Sequence, residues 1–125
     1  MNEQGRPSAP ESLSVVVPFY NEEGNALALI EEIHAGLADV NMAWELVAVN
    51  DGSRDGTAAE LDAARAKFGE HVTVVHFARN FGQTAAMQTG IDRARGTLIV
   101  TMDGDRQNDP ADIPRLVAHM LENDL

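Results

Sequence analysis

The sequence contains no cysteine. Disulfides, thiolate metal sites and a cysteine nucleophile are therefore excluded, and a reducing compartment suits the chain. Basic residues are scarce: nine stand against 20 acidic ones, for a formal charge of −11. Binding a phosphate backbone depends on Lys and Arg, so this balance argues against a nucleic-acid partner. It argues equally against a polybasic membrane contact. No apolar run approaches the roughly 18 residues that a membrane span needs. The N-terminus has no apolar signal-peptide core. What remains is 125 residues, 44% apolar and 23% charged, the make-up of one small globular domain.

Met1 to Ser12 carries Gly5, Pro7 and Pro10 among polar residues and reads as a mobile leader. Four short β-rich runs follow: Leu13–Val17, Glu45–Asn50, Val72–Ala78 and Thr97–Met102. The first, second and fourth are nearly continuous in apolar residues, as strands covered on both faces are. Between them lie segments with helical spacing. Leu27, Ile30, Ile33 or His34, and Leu37 mark the first; Ala58, Leu61, Ala64 and Phe68 mark the second. The third, about Gln83 to Ala94, is rich in small residues and is expected to pack close to a neighbour. The last opens on Asp109-Pro110, an N-cap with proline at the first helical position. Its expected apolar face is Ile113, Leu116, Val117, Met120 and Leu121. Strand and helix thus alternate four times, which predicts an α/β fold: a parallel sheet with right-handed crossovers and helices on both faces. A Rossmann-like order of 3-2-1-4 is expected, with 13–125 as one unit.

In such sheets ligands bind beyond the carboxyl ends of the strands, where the strand order reverses. The first strand runs into Pro18-Phe19-Tyr20-Asn21-Glu22-Glu23, where Asn21 could cap a helix and the glutamates favour its positive end. The second ends in Asn50-Asp51-Gly52-Ser53-Arg54-Asp55-Gly56-Thr57. Turn and cap roles account for Asp55 and Thr57. They account less well for Asp51, because a carboxylate directly after a buried strand is costly unless paired or solvated. The fourth strand ends in Met102-Asp103-Gly104-Asp105-Arg106-Gln107. Two carboxylates flank a glycine, with an amide oxygen two residues on, and hard oxygens at alternate positions suit Mg²⁺ or Mn²⁺. An Asx-type turn is the plainer alternative. A calcium-binding EF-hand fits poorly, since Asn108 and Pro114 stand where its loop needs Gly and Glu. With strands one and four adjacent, Glu22, Asp51, Asp103 and Asp105 share one rim. Their mutual repulsion would be relieved by a divalent cation and by the hydrogen-bond donors of a nucleoside. No phosphate loop, GxGxxG, HExxH or GxSxG is present. His34, His71, His76 and His119 are scattered and read as structural or surface residues.

Taken together, Val17-Pro18-Phe19-Tyr20-Asn21-Glu22, Val49-Asn50-Asp51-Gly52-Ser53-Arg54-Asp55-Gly56-Thr57, Arg79-Asn80-Phe81-Gly82 and Met102-Asp103-Gly104-Asp105 through Gln107 and Pro110 resemble the inverting family 2 glycosyltransferases. The likeness is strongest to the polyprenyl- and dolichyl-phosphate sugar transferases and runs from about Leu13 to Leu121. It implies the nucleotide-binding half of a GT-A domain. Pro18, Phe19, Tyr20 and Glu22 would line a nucleoside pocket, and Asp51 would bond the base. Asp103 and Asp105 would form a catalytic DxD motif, with Gly104 against the nucleotide. Asp105 and Gln107 would hold Mg²⁺ or Mn²⁺ on the diphosphate, and Asp103 would serve the metal, the ribose of the nucleotide, or both. Arg79 would reach the donor sugar or phosphates. Arg106 departs from the leucine common at its place. It would either point to solvent or weaken the metal site.

The implied reaction is transfer, with inversion, from a UDP- or GDP-linked sugar to a lipid phosphate such as polyprenyl phosphate. Such an acceptor is already anionic near neutral pH and needs no general base, whereas a hydroxyl acceptor would. GT-A domains of this family are roughly twice as long, so the chain is expected to be the donor-binding part, truncated before the acceptor half. Work at the cytoplasmic face of a membrane, in cell-envelope glycan synthesis, is expected of the whole protein. An open sheet edge also suits self-association into a homo-oligomer. Two rival classes compete: a non-catalytic nucleotide-binding module acting with a partner, and a receiver-like phosphoacceptor domain. The latter needs a late lysine, whereas the one lysine here is Lys67.

Overall fold

The computed structural model describes residues 11–106 and 109–122. Four strands alternate with four helices: β1 (Ser12–Phe19), α1 (Ala26–Gly36), β2 (Ala43–Asn50), α2 (Thr57–Phe68), β3 (Val72–His76), α3 (Gln83–Arg93), β4 (Leu98–Thr101) and α4 (Ile113–Glu122). A 3₁₀ turn over Pro110–Asp112 leads into α4. All pairings are parallel, as the alternation predicts, and the order is β3-β2-β1-β4, the expected Rossmann-like one. Strand bounds differ from the sequence reading at the ends. Ser12, placed in the leader by its composition, opens β1 instead. Its backbone N–H donates to Thr97 Oγ1 at 3.0 Å, and its hydroxyl accepts from Thr97 N. β3 stops at His76, short of Ala78.

β1 is the centre of the sheet and is buried from Leu13 to Phe19. Its side chains alternate between two cores, as a pleated strand requires. Leu13, Val15, Val17 and Phe19 face Leu29, Ile30 and Ile33 of α1, Leu61 and Ala64 of α2, and Ile113 and Val117 of α4. Val16 faces the other way, with Val47, Val49 and Ala86 of α3. Each fully buried aliphatic side chain here stabilises the fold by about 1.5–3 kcal/mol over its exposed state. α3 lies close against its face of the sheet. A Cβ on Gly90 would stand 2.4 Å from Val16 Cγ1, so this helix needs its small residues.

The helix faces depart from the sequence reading in detail. α1 buries Ala26 and Leu29 beside Ile30 and Ile33, leaving Leu27 only partly covered. Leu116 and Leu121 of α4, expected on its apolar face, are exposed. Asp109 does cap its turn, accepting a bond from Ala111 N at 2.9 Å, and Pro110 is buried directly after it.

Candidate functional site

The carboxyl ends of β1, β2 and β4 meet at one cleft, where the strand order reverses. It has a volume of about 250 Å³ and is lined by Pro18, Phe19, Tyr20, Glu22, Asp51, Gln83, Asp103, Gly104 and Asp105. The sequence reading named all of these except Gln83. Gln107, expected among the metal ligands, lies outside the described residues.

Asp51 follows directly on β2 and is 2% exposed. Its carboxylate accepts from Phe81 N at 2.8 Å, Gly82 N at 3.1 Å and Asn80 Nδ2 at 3.0 Å. The cost of burying it is thus met by three amide donors from the turn before α3. Gly52 makes the approach of the two turns feasible. Its φ is +69°, and a Cβ there would lie 2.1 Å from the Arg79 carbonyl carbon. Asn50, also buried, accepts from Ser53 N and donates to His76 Nδ1, which fixes the turn after β2 from its other side.

The turn after β1 is bound to the turn after β2. Asn21 does not cap α1. It sits at φ 52° and interlocks with the neighbouring loop: its N–H donates to Ser53 Oγ and its Oδ1 accepts from Arg54 N. Glu22 N donates to Thr57 Oγ1 at 2.8 Å, and the Glu22 carboxylate accepts from Asn25 Nδ2. Glu23 exchanges bonds with the same loop, donating from its N–H to Asp55 and accepting from Gly56 N. Asp55 holds the start of α2 by accepting from Thr57 N and Thr57 Oγ1. The Thr57 hydroxyl bond, reinforced by backbone N–H donors and only partly offset by burial, holds the Asp55 carboxyl below its ordinary value of 3.8.

After β4 the chain crosses the end of β1. Gly104 is buried there, and a Cβ on it would meet Phe19 Cδ1 and the Pro18 carbonyl oxygen, each at 2.7 Å. The glycine between the two aspartates is therefore required by close packing. Asp103 and Asp105 are exposed on either side of it and line the cleft. Gln83 Nε2 donates to Asp103 Oδ1 at 3.0 Å. Arg106, at φ 64°, is directed to α1, where its guanidinium donates to Glu32. Its charge is thus paired outside the residues that line the cleft. Arg79 likewise lies outside that lining. Its guanidinium sits 4.0 Å from the centroid of the Phe81 ring, a cation–π contact.

Among the described residues no group of three or more His, Cys, Asp or Glu side chains is poised to hold a metal. Of the four carboxylates at the cleft, the two that flank Gly104, Asp103 and Asp105, are exposed hard oxygen donors. That fits a small divalent cation which keeps waters and takes its remaining ligands from a substrate phosphate. None of the four histidines lines the cleft. His34 and His71 lie in a ring cluster with Trp44 and Phe68. His76 donates to Asp62, and His119 borders a separate groove between β4 and α4. Gln83 was missed because the sequence reading treated its helix as a packing element. Its place one residue after Arg79-Asn80-Phe81-Gly82, at a helix start, was the available signal.

The sequence model for glycosyl transferase family 2 matches residues 14–125. The chain belongs to that family. It is 48% identical over 113 residues to a dodecaprenyl-phosphate galacturonate synthase of Rhizobium johnstonii, covering 90% of this chain and 33% of that protein. It is 43% identical over 112 residues to an undecaprenyl-phosphate 4-deoxy-4-formamido-L-arabinose transferase of Pseudomonas aeruginosa, with the same coverage of 90% and 33%. The chain thus spans about a third of the length of these curated relatives. Among solved structures, glucosyl-3-phosphoglycerate synthase of Mycobacterium tuberculosis, in complex with Mn²⁺, UDP and glucosyl-3-phosphoglycerate, superposes with a TM-score of 0.69 at 26% identity. That match covers 89% of this chain and 40% of the other. Staphylococcus aureus TarS in complex with UDP gives 0.67 at 25% identity, covering 89% of this chain and 32% of the other. The four-stranded parallel sheet with its helices is therefore the glycosyltransferase GT-A arrangement, as the resemblance implied.

Proposed function

We propose that this chain carries the donor-binding part of an inverting transferase that moves a sugar from a nucleoside-diphosphate sugar to a polyprenyl phosphate. The observation that carries the reading is the cleft itself. Three strand ends bring apolar and aromatic residues, Pro18, Phe19 and Tyr20, to one rim with Glu22, Asp51, Asp103 and Asp105. Apolar surface beside acceptor oxygens suits a nucleoside, whose ring stacks and whose imino, amino and hydroxyl groups donate. The relatives named for dodecaprenyl and undecaprenyl phosphate support the acceptor class.

The diphosphate would lie toward Asp103 and Asp105. These residues, with Gln107, would hold Mg²⁺ or Mn²⁺, and the ion would supply Lewis-acid stabilisation of the charge that grows on the leaving diphosphate. Asp51 keeps the turn before α3 in place, and the Glu22 loop frames the nucleoside side. The cleft of about 250 Å³ is smaller than the ~300–1,000 Å³ of complete small-molecule sites. That suits a site that holds the nucleoside side of the donor. Action at the cytoplasmic face of a membrane, in envelope glycan synthesis, belongs to the same proposal.

The test is thermal unfolding and calorimetric titration with UDP and GDP, with and without Mn²⁺. One of the two diphosphates should raise the melting temperature in a Mn²⁺-dependent way. Asp105→Ala should remove that dependence, because its carboxylate would be one of the metal ligands. No binding of either diphosphate at millimolar concentration would overturn the reading.

A further inference from the structure

We propose that Gln83 is a positioning residue of this cleft: it orients Asp103 and joins the Asp51 side of the site to the Asp103–Asp105 side. The inference rests on the nucleotide-sugar reading above.

Two sets of bonds meet at Gln83. On one side, Asp51 holds Phe81 N and Gly82 N, and Gly82 is the residue from which α3 starts. Gln83 is the first residue of that helix, so Asp51 fixes its backbone. On the other side, its side chain lines the cleft and donates to Asp103 Oδ1 at 3.0 Å. A buried carboxylate at the end of β2 is thereby linked to an exposed carboxylate at the end of β4 through one turn and one side chain.

The chemistry of the amide matters. Asp103 is exposed on a segment beyond β4, and a carboxylate there has rotamer freedom that ligand binding must remove. The donor from Gln83 is one restraint on that freedom already in place before a ligand arrives. Lys or Arg at this place would also orient Asp103, but would cancel its charge and repel a cation. The neutral amide orients the carboxylate and leaves its charge available. Partners of this kind behind metal-binding side chains are commonly worth a factor of about 10–100 in metal affinity.

The experiment measures UDP and GDP affinity of the 125-residue chain by calorimetry, with and without Mn²⁺. Three proteins are compared: the unaltered chain, Gln83→Ala, and Gln83→Met, which keeps length and bulk without a donor. The expected result is a loss of about 10–100-fold in the Mn²⁺-dependent gain in affinity for both variants. Metal-free affinity, measured for each of the three proteins, is the reference against which that gain is read. An undiminished Mn²⁺-dependent gain in Gln83→Met would overturn the positioning role and leave the donor-site reading standing. An equal loss of metal-free and metal-dependent affinity would also overturn it, because a purely structural residue behaves that way. Failure of the unaltered chain to bind either diphosphate with Mn²⁺ would overturn the donor-site reading and this proposal together.

Discussion

Asp51 illustrates how one residue can be conspicuous in a sequence for a reason the sequence does not contain. A carboxylate directly after an apolar strand must find partners, and that much follows from its position. The partners are Asn80, Phe81 and Gly82, which lie 29 to 31 positions away. No local pattern announces that pairing, because it depends on β2 and β3 being neighbours and on Gly52 letting two turns touch. Asp51→Asn keeps the shape but turns one acceptor oxygen into an NH₂ group facing N–H donors. The expected cost is about 1–3 kcal/mol, the penalty for buried donors left without acceptors. Urea unfolding should register it as a lower midpoint with an unchanged slope. An unchanged midpoint would mean that the turn before α3 is held by something else. Asp103 and Asp105 were legible for the opposite reason. They stand two apart in a short motif around Gly104, so local spacing alone carries them.

At the scale of elements, the helices were legible from their periodicity and the Asp109 cap from its sequence, but the way α1 is capped was not. α1 starts after Asn25, a residue type suited to capping, yet the Asn25 side chain makes no cap bond. The acceptor is supplied by the next helix instead: Glu60 of α2 takes bonds from Gly24 N at 2.6 Å and Leu27 N at 3.0 Å. A carboxylate at that end also complements the helix dipole. Glu60→Ala should lower the unfolding free energy by about 1 kcal/mol, the usual worth of an N-cap. Hydrogen exchange at Leu27 should quicken by more than that at Ile33. A second inter-element lock joins α1 to the start of β3. His34 Nδ1 donates to the Ile30 carbonyl at 2.7 Å, so its Nε2 is free to accept from His71 Nε2, also at 2.7 Å. The His34 ring stacks on Phe68 at 3.6 Å. Burial lowers the His34 pKa below 6.5. The Ile30 carbonyl opposes the shift, while repulsion from His71 and Lys67 adds to it. A depressed pKa means that the folded state takes up its proton later than the unfolded state does. The lock is therefore fully present above pH 6.5 and weakens as pH falls through the lower folded value. Stability measured from pH 7.5 down to about 5 should decline. His34→Phe, which keeps the ring contact without the proton, should flatten that slope.

At the scale of the whole molecule, the parallel sheet and right-handed crossovers were legible from alternation, while the order 3-2-1-4, which places the site at its reversal, was one of the few arrangements that alternation allows. The groove between β4 and α4 was not legible. It takes shape because α4 enters through a 3₁₀ turn that packs on α1, where Gly36 leaves room for the Pro110 carbonyl. The same scale governs electrostatics. A chain of formal charge −11, with four carboxylates at its cleft, repels a diphosphate before any contact forms. Salt screens that repulsion beyond about 10 Å at 0.1 M. Metal-free affinity for UDP or GDP should therefore rise as salt increases from about 20 to 300 mM, across the range where the screening length shrinks below the size of the domain. With saturating Mn²⁺ the repulsion is offset at close range, and the salt dependence should shrink. The matching nucleoside, uridine or guanosine, carries no charge and should bind with little salt dependence under either condition. Calorimetric titrations across that range separate these cases. A metal-free diphosphate affinity that falls with salt would mean that an attractive local field outweighs the net charge. In that case a cation such as Arg79 or Arg54, rather than the acidic rim, would dominate the approach of the donor.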